Sequence, residues 1–393
     1  MSFLRLFLFV LLLEGLLFEA KAQAIKQYNV NDFGAIPDGH TDNSKAFVNA
    51  FKGACQYHGH SRVVVPRGTY LVKLAEFNGP CRGPIDFFLT GNVKAAPGPR
   101  EGGYWFRFGY IDRLTVSGKG TFDGQGQTAW SSNECSKNPN CKGLPISIRF
   151  DYVSNSVVSG INSLNSKYFH INVLGCTNLR FQNIRIIAPA ESPNTDGIHI
   201  GQSKNVRIFD SFIGTGDDCV SIGPESTDIE VSGVHCGPGH GISIGSLGKY
   251  TGEKDVSGIN VHDCVLDRTD NGLRIKTWAS DIKSRLYNVT FRDIILKNTY
   301  NSIMIDQQYC PAGGCDTSKA SSIQIQDVQY KGIRGTSISP DVEIFRCSRK
   351  YPCNNIVLKD IDISYNGKNG PARTRCSFLN GRSFGVQNPK ACV

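Results

Sequence analysis

The sequence predicts an all-β solenoid, in which one chain winds into a coil of stacked turns. The first observation is a polar residue that returns at 22-residue steps: Asp196, Asp218 and His240 open the segments Asp-Gly-Ile-His-Ile-Gly, Asp-Cys-Val-Ser-Ile-Gly and His-Gly-Ile-Ser-Ile-Gly. The second is a seven-residue segment that recurs beyond about residue 110. Two independent patterns with a common phase indicate stacking, because equivalent residues of stacked turns form columns.

The seven-residue segment is apolar at its second and fourth positions, has Gly, Asn or Asp at its sixth, and is usually apolar at its seventh. Variable steps separate its copies, which suits constant strands joined by loops of different length. Helical repeats fit poorly, because the segments are β-branched and alternate with period two; an antiparallel sandwich is the alternative. The copies are Arg113–Lys119, Asn155–Ile161, Asn178–Ile184, Asn205–Ser211, Asp228–Val234, Gly258–Cys264, Asn288–Ile294, Ser322–Val328 and Asn355–Ile361.

Residues 1–22 are predicted to be a secretory signal peptide. An apolar run over 6–13 leads to Ala20-Lys21-Ala22, a small-x-small pattern that suits cleavage before Gln23. The alternative is an N-terminal membrane anchor, but this run is too short and two glutamates interrupt the stretch. Because no linker divides the rest of the chain, we expect a single domain over residues 23–393 and no membrane span.

A helix is expected near the start of that domain. Ala46, Phe47 and Phe51 recur at helical spacing, and Asn43 or Thr41 is a suitable N-cap, so the helix should continue to about Cys55. Such a helix would cap the solenoid, because an open stack leaves strand edges exposed at its end.

Fourteen cysteines in a secreted chain indicate disulfides and not thiol chemistry. Zinc is the competing interpretation, but the sequence has no CxxC pair with matching histidines, so we expect neither a metal nor a cofactor. Three close pairs are candidates for local loop clips: Cys135/Cys141, Cys310/Cys315 and Cys347/Cys353.

The formal net charge of +9 favours a polyanionic partner. For a secreted protein, acidic polysaccharides and membrane surfaces are better candidates than nucleic acid. The sequon Asn288-Val289-Thr290 also permits N-glycosylation.

Acidic, basic and imidazole groups gather on one predicted face of the coil. The column continues into Asn271-Gly-Leu-Arg-Ile-Lys276, where Arg274 and Lys276 point outward if Leu273 and Ile275 face the core. Turns lie about 4.8 Å apart, so the carboxylates should be close. One carboxyl of a close pair has a raised pKa and can serve as an acid, while another stays ionised as a base. This is the equipment of a glycoside hydrolase, and two cations suit a carboxylated sugar.

These residues also carry a family resemblance. The strings Ser-Pro-Asn-Thr-Asp-Gly, Gly-Asp-Asp, Gly-His-Gly and Arg-Ile-Lys, in this order, resemble the signature of the polygalacturonases, glycoside hydrolase family 28. The likeness extends over essentially the whole mature chain and is closest to the pollen-type exopolygalacturonases of plants. It implies a right-handed parallel β-helix of the pectin-lyase-like kind. The implied protein is a monomer of the plant cell wall that hydrolyses α-1,4-galacturonan with inversion.

The resemblance also assigns roles to residues of this sequence. Asp217 would be the general acid, and Asp196 with Asp218 would activate the attacking water. The further residues carried over are Asn194 and His240 as supports of the acids, Arg274, Lys276 and Tyr309 as contacts to the sugar, and Cys219 and Cys236 as a disulfide.

Three alternatives remain open from the sequence. Attack at chain ends is favoured by the subgroup likeness. Internal attack stays open, because blockage of the subsites depends on loop shapes. A calcium-dependent pectate lyase would use the three acids as metal ligands. A non-catalytic wall-binding protein or adhesin could share the scaffold.

Overall fold

The computed structural model describes residues 24–100, 102–135, 141–311, 313, 315–316 and 318–393. The expected signal peptide over 1–22 lies outside the described residues. Among these residues no helix is both long and apolar enough to cross a membrane.

The described chain is built of short strands, as the alternating segments predict. They are β1 Lys26–Asn29, β2 Asp38–Asp42, β3 Ser61–Val65, β4 Thr69–Val72, β5 Ala75–Asn78, β6 Ile85–Leu89, β7 Asn92–Ala95, β8 Tyr104–Gly109, β9 Leu114–Gly118, β10 Thr121–Asp123, β11 Ile146–Asp151, β12 Ser154–Ser159, β13 Asn162–Leu164, β14 Ile171–Leu174, β15 Thr177–Gln182, β16 Arg185–Ile187, β17 Ile198–Gly201, β18 Lys204–Phe209, β19 Phe212–Gly214, β20 Val220–Ile222, β21 Thr227–Ser232, β22 His235–Cys236, β23 Ile242–Leu247, β24 Val256–His262, β25 Val265–Asp267, β26 Asn271–Trp278, β27 Ser284–Thr299, β28 Asn301–Tyr309, β29 Ile323–Ser337, β30 Asp341–Arg346, β31 Cys353–Tyr365, β32 Arg373–Ser377 and β33 Leu379–Asn388.

The strands form a parallel β-helix with three faces. Sheet 1 contains eleven strands, in the order β5, β8, β11, β14, β17, β20, β23, β26, β28, β30 and β32. Sheet 2 contains the other twenty-two, in two ladders that merge where the long strand β27 pairs with both β24 and β25. All pairings between these strands are parallel, which excludes the antiparallel sandwich.

The core runs along the axis of the coil. Residues at alternate positions of each strand point inward, and aromatic rings fill the N-terminal turns, with the Phe77 and Phe108 centroids 5.0 Å apart. Farther along, β-branched residues replace the rings: Ile198, Val220 and Ile242 are fully buried and adjacent in register. Apolar side chains therefore fill the inward positions, and polar side chains that could act in a reaction can occupy the outward positions of sheet 1.

The corners of the coil explain the recurring Gly, Asn or Asp. The sixth residue of every predicted segment has a positive φ, for example 66° at Gly160 and 49° at Asp210. Glycine, asparagine and aspartate adopt this left-handed conformation at the lowest cost. The asparagines at the first positions also pair across turns, because Asn178 Nδ2 donates to Asn155 Oδ1 at 2.8 Å and Asn205 Nδ2 donates to Asn178 Oδ1 at 2.8 Å.

The predicted cap is confirmed as α1, Ser44–Gln56, with Asn43 at its N-cap position. Phe47 and Phe51 insert into the N-terminal end of the core, where the Phe51 ring lies 4.7 Å from that of Phe77. The Asn43 side chain does not bond to the first turn of α1; its Nδ2 instead donates to the carbonyl of Thr41 at 2.7 Å.

The cysteines are mostly paired, as expected. The three loop clips predicted from spacing are present, and the pair implied by the resemblance, Cys219–Cys236, is bonded as well. Two further disulfides are Cys55–Cys81 and Cys376–Cys392. Cys176 and Cys264 are free and buried.

Candidate active site

Four neighbouring strands of sheet 1 build the site. In β17, β20, β23 and β26, the outward residues His199, Ser221, Ser243 and Arg274 are in register, as the sequence column predicts. The turns that enter these strands carry the acids and the imidazole. Gly241 allows one such turn, because its φ is 84° and a Cβ there would lie 2.0 Å from the Asn271 carbonyl oxygen.

Asp218 is a buried carboxylate held by two cations. Its Oδ1 accepts from Arg274 Nη2 at 2.7 Å and its Oδ2 accepts from Lys276 Nζ at 2.7 Å. The Ser243 hydroxyl adds a third hydrogen bond to Oδ1, also at 2.7 Å. Burial alone would raise the pKa of Asp218, but the charges of Lys276 and Arg274 outweigh burial and hold this pKa well below its usual range.

Asp196 lies one turn away in a different electrostatic environment. Its Oδ2 accepts a hydrogen bond from Ser221 at 2.8 Å, and its charge has no direct ion pair within the described residues. Burial, followed by the charges of Asp217 and Asp218, raises the pKa of Asp196 well above its usual range. Two adjacent carboxyls thus have pKa values shifted in opposite directions, as acid–base chemistry at one site requires.

Asp217 is the most accessible of the three acids, with 16% of its side chain exposed compared with 1% for Asp218. Its Oδ1 contacts His240 Nδ1 at 2.9 Å and accepts from the backbone NH of Asp218 at 2.8 Å. The Asn194 amide donates to Oδ2 at a longer 3.3 Å. Burial lowers the pKa of His240, but the hydrogen bond and charge of Asp217 outweigh it and the net shift is upward. Oδ2 therefore has the weaker contact and is the more available oxygen.

The three acids and the imidazole together form a hydrolytic constellation on an extended, outward-facing sheet. Comparison with known proteins identifies its relatives. The model of the glycosyl hydrolases family 28 matches residues 55–387.

The chain belongs to glycosyl hydrolases family 28. It is similar to an exopolygalacturonase of Platanus acerifolia, with 46% identity over 365 residues that cover 92% of this chain and 96% of the relative. Two solved structures share its fold. One is an exopolygalacturonase from Thermotoga maritima, with a TM-score of 0.76, 20% identity and coverage of 93% of both chains. The other is an endo-xylogalacturonan hydrolase from Aspergillus tubingensis, with a TM-score of 0.77, 24% identity and coverage of 93% and 100%. The right-handed parallel β-helix predicted from the resemblance is thereby confirmed.

In this family 28 chain, the side chains of Arg274 and Lys276 are nearly buried and paired. The side chains of Arg274 and Lys276 are only 11% and 8% exposed, and their charged groups are directed to Asp218. Tyr309 covers Lys276, whose Nζ lies 5.2 Å from the ring centroid. Trp278 packs edge-on against Tyr309 at 5.4 Å, and Lys249 Nζ lies 5.5 Å above Trp278. The two rings lie at the C-terminal ends of β26 and β28.

Asp217, Asp218 and His240 are close enough to be considered as a metal site. One ligand atom from each lies within 4.8 Å of the others. However, both oxygens of Asp218 already contact a cation, and a divalent ion would be repelled by Arg274 and Lys276. Calcium also takes six to eight oxygen ligands. The donor set therefore does not fit the calcium site of a lyase.

Sequence reasoning missed several residues of the site. Tyr168 lies in the turn before β14, stacked on Phe169 at 4.4 Å. Burial and the charges of Asp196 and Asp217 raise its pKa. Its turn stacks on that of Asp196, because the His170 NH donates to the Asp196 carbonyl at 2.8 Å. That turn was not recognised as part of the column because no acid or histidine stands at the position of Asp196. His199, Ser221 and Ser243 were placed in the correct column, but their bonds to the acids were not predicted.

Two predicted sites do not contact the acids. Asn288 lies away from them, and the Cys219–Cys236 disulfide lies next to them. Asn288 is exposed at a corner of sheet 2 with a φ of 55°, and it remains a candidate for glycosylation. The Cys219–Cys236 bond joins the residue after Asp218 to β22, with its Cα atoms 5.8 Å apart. It ties the turn that carries Asp217 and Asp218 to the neighbouring ladder.

Proposed function

We propose that this family 28 protein is a polygalacturonase that hydrolyses the α-1,4-galacturonosyl linkages of homogalacturonan with inversion, acting from chain ends. The observation that carries the proposal is the opposite treatment of neighbouring acids, with Asp218 held ionised by two cations and the pKa of Asp196 raised. Family membership and the exopolygalacturonase of Platanus acerifolia support the reaction and the exo mode.

Asp217 is proposed as the general acid. His240 and the Asp218 NH both bond to Oδ1, so the transferable proton belongs on Oδ2, whose contact among the described residues is the 3.3 Å one to Asn194. From there it passes to the glycosidic oxygen as the bond to the anomeric carbon breaks. His240 Nδ1 lies 2.9 Å from Oδ1, and this contact holds the carboxyl in place.

Asp196 and Asp218 are proposed to activate the water. A carboxylate with a raised pKa is a stronger base while it stays ionised, so Asp196 is suited to take the proton of the attacking water. Asp218 keeps its charge and stabilises the positive charge that develops on the sugar. Inversion rests on the family likeness, because the 4.8 Å limit on the ligand atoms of Asp217 and Asp218 does not measure the separation between the acid Asp217 and the base Asp196.

Arg274, Lys276 and Tyr309 are proposed to bind the carboxylate of a galacturonosyl residue. Each cation donates some of its hydrogen bonds to Asp218, and the remaining guanidinium and ammonium hydrogens can donate to the sugar. The net charge of +9 supports attraction of an acidic polymer.

The remaining features belong to the same proposal. The protein would be secreted after loss of residues 1–22 and would work as a monomer with one catalytic domain over 23–393 in the plant cell wall. Six disulfides support an oxidising compartment.

The test is digestion of polygalacturonate by the whole secreted protein, following viscosity against reducing ends. Exo-hydrolysis predicts galacturonate monomer with little early loss of viscosity, and no change on addition of EDTA. Rapid thinning would mean internal attack. Activity lost with EDTA and restored by calcium, with unsaturated products, would mean a lyase, and binding without products would mean a wall-binding protein.

A further inference from the structure

His199 is part of a hydrogen-bond chain that ends on Asp196. Its Nδ1 lies 2.7 Å from Ser221 Oγ, and Ser221 Oγ lies 2.8 Å from Asp196 Oδ2. The histidine sits on β17 and the serine on β20, at paired positions of adjacent turns. No part of the proposed reaction assigns a role to either residue.

The chain has a direction that depends on Asp196. A serine hydroxyl has a single hydrogen, so when Ser221 donates to ionised Asp196 the contact with His199 must be a donation from Nδ1. Donation in the opposite sense requires a proton on Asp196. A neutral His199 with its hydrogen on Nδ1 therefore favours the ionised form of Asp196, the form that a base needs.

The surroundings of His199 keep the ring neutral. Burial, followed by the charge of Lys276, lowers the pKa of His199 to about 4. Phe169 packs against the ring with centroids 5.0 Å apart, which fixes its orientation. The charged groups that act on His199 are Asp217, Asp218 and Lys276, and Tyr168 lies in the turn adjacent to that of Asp196.

The same arrangement occurs one turn on, with a cation in place of the imidazole. Arg274 Nε donates to Ser243 Oγ at 3.0 Å, and Ser243 donates to Asp218 Oδ1 at 2.7 Å. Arg274 also contacts Asp218 directly, whereas the described contacts of His199 reach Asp196 only through the serine. Asp218 is thus fixed by charge, and Asp196 by the orientation of one hydroxyl.

We propose that His199 is a positioning residue that acts through Ser221, holding the serine hydroxyl on Asp196 so that this carboxylate is oriented and ionised to take the proton of the attacking water. The proposal rests on the assigned hydrolysis, because Asp196 needs to be a base only in that reaction. The Nε2 atom of His199 is left as an acceptor and lies beside Gly223.

The experiment compares kcat/KM on polygalacturonate across the pH range for His199→Leu, His199→Asn, Ser221→Ala and the double variant His199→Leu/Ser221→Ala. Asparagine can place an amide donor where Nδ1 stands, and leucine cannot. Loss of the donor should lower kcat/KM about tenfold, the size expected for one hydrogen bond to a charged group. It should also move the acidic limb of the profile to higher pH, since the bond from Ser221 lowers the pKa of Asp196. His235→Leu, at a ring stacked on Phe212 in sheet 2, is the control.

We expect His199→Asn to keep most of the activity and the wild-type acidic limb, and the double variant to be no worse than Ser221→Ala. If His199→Leu does not fold, the asparagine and serine variants still decide the matter by their acidic limbs. Equal impairment of the asparagine and leucine variants, or additive losses in the double variant, would overturn the proposal. Wild-type protein without activity on polygalacturonate would instead overturn the proposed function.

Discussion

Lys276 Nζ lies 2.7 Å from Asp218 Oδ2, in a contact where the two side chains are 8% and 1% exposed. Removal of one partner of an isolated buried pair costs about 3–5 kcal/mol, but Asp218 would keep its contact with Arg274 at 2.7 Å. We therefore expect Lys276→Met to lower the unfolding free energy by less than this amount. It should also reduce kcat/KM on polygalacturonate about 10- to 150-fold, for a charge-assisted contact worth about 1.5–3 kcal/mol.

The loss should be smaller on a methyl-esterified oligomer, whose carboxyl carries no charge. Lys254→Met is the matched control, because that side chain is 78% exposed and pairs with Glu225. A Lys276→Met protein with wild-type melting temperature and wild-type kcat/KM at low and at high salt would show that this lysine serves neither Asp218 nor the substrate.

Asp217→Asn should remove nearly all turnover and leave folding and substrate affinity close to wild type. The amide can still accept from His240 and the Asp218 NH, but it cannot give a proton to the leaving oxygen. Single-turnover kinetics with trigalacturonate, together with calorimetric binding, separate the two effects. Asp281→Asn, at a carboxylate 76% exposed, is the control. Substantial turnover by Asp217→Asn would move the acid role to another carboxyl.

Gly201→Ala tests whether the substrate lies on the floor of the cleft. A Cβ at Gly201 would meet no atom nearer than 3.9 Å, and the residue does not have a positive φ, so the fold itself does not require glycine there. We expect an unchanged melting temperature and a higher KM, because the methyl group would occupy space used by the sugar. An unchanged KM would place the sugar elsewhere.

The buried carboxyl of Glu343 should lower the unfolding free energy of the protein as the pH rises to neutral. Its carboxyl is fully buried, neither oxygen has a hydrogen-bond partner within the described residues, and burial raises its pKa to about 7. A raised carboxyl pKa gives stability that is fully present below the unfolded value of about 4.3 and is lost as the pH rises through about 7. The unfolding free energy of wild type should therefore fall by about 3–4 kcal/mol between about pH 4.3 and about pH 7 through this group, with no further change from it above that.

Glu343→Gln should remove most of this dependence, since glutamine does not ionise. The groups that face Glu343 are uncharged at these pH values: Tyr330 from β29, whose hydroxyl is also unpaired, and Ile303 and Thr374 at the paired positions of β28 and β32. If the variant and wild type show the same slope of stability against pH, Glu343 does not titrate in this range.

The sequence predicted the parts of this molecule that repeat. A turn of constant geometry needs a left-handed residue at each corner and an apolar residue at each inward position, so both the coil and the column of Asp196, Asp218 and His240 were visible. The resemblance supplied Asp217, Asn194 and Tyr309, which lie outside the column. Contacts that depend on side-chain direction were not predictable, because spacing indicates which face a residue occupies but not which neighbour it bonds to.

Arg274 illustrates this limit. Its outward position was predicted correctly, and it was expected to meet the sugar, whereas in the structure its guanidinium contacts Asp218 and Ser243. Tyr168 illustrates the other limit, because no acid or histidine marks its turn and its place beside the turn of Asp196 follows only from the tertiary fold.

In the proposed reaction, Asp217 protonates the leaving oxygen while Asp196 and Asp218 direct water to the opposite face of the sugar. The stereochemistry of the first product tests this arrangement. Proton NMR of a polygalacturonate digest, recorded before mutarotation, distinguishes the anomers. We expect β-galacturonate to appear first, and α-galacturonate only later by mutarotation. Initial release of the α anomer, or of a 4,5-unsaturated product, would contradict it.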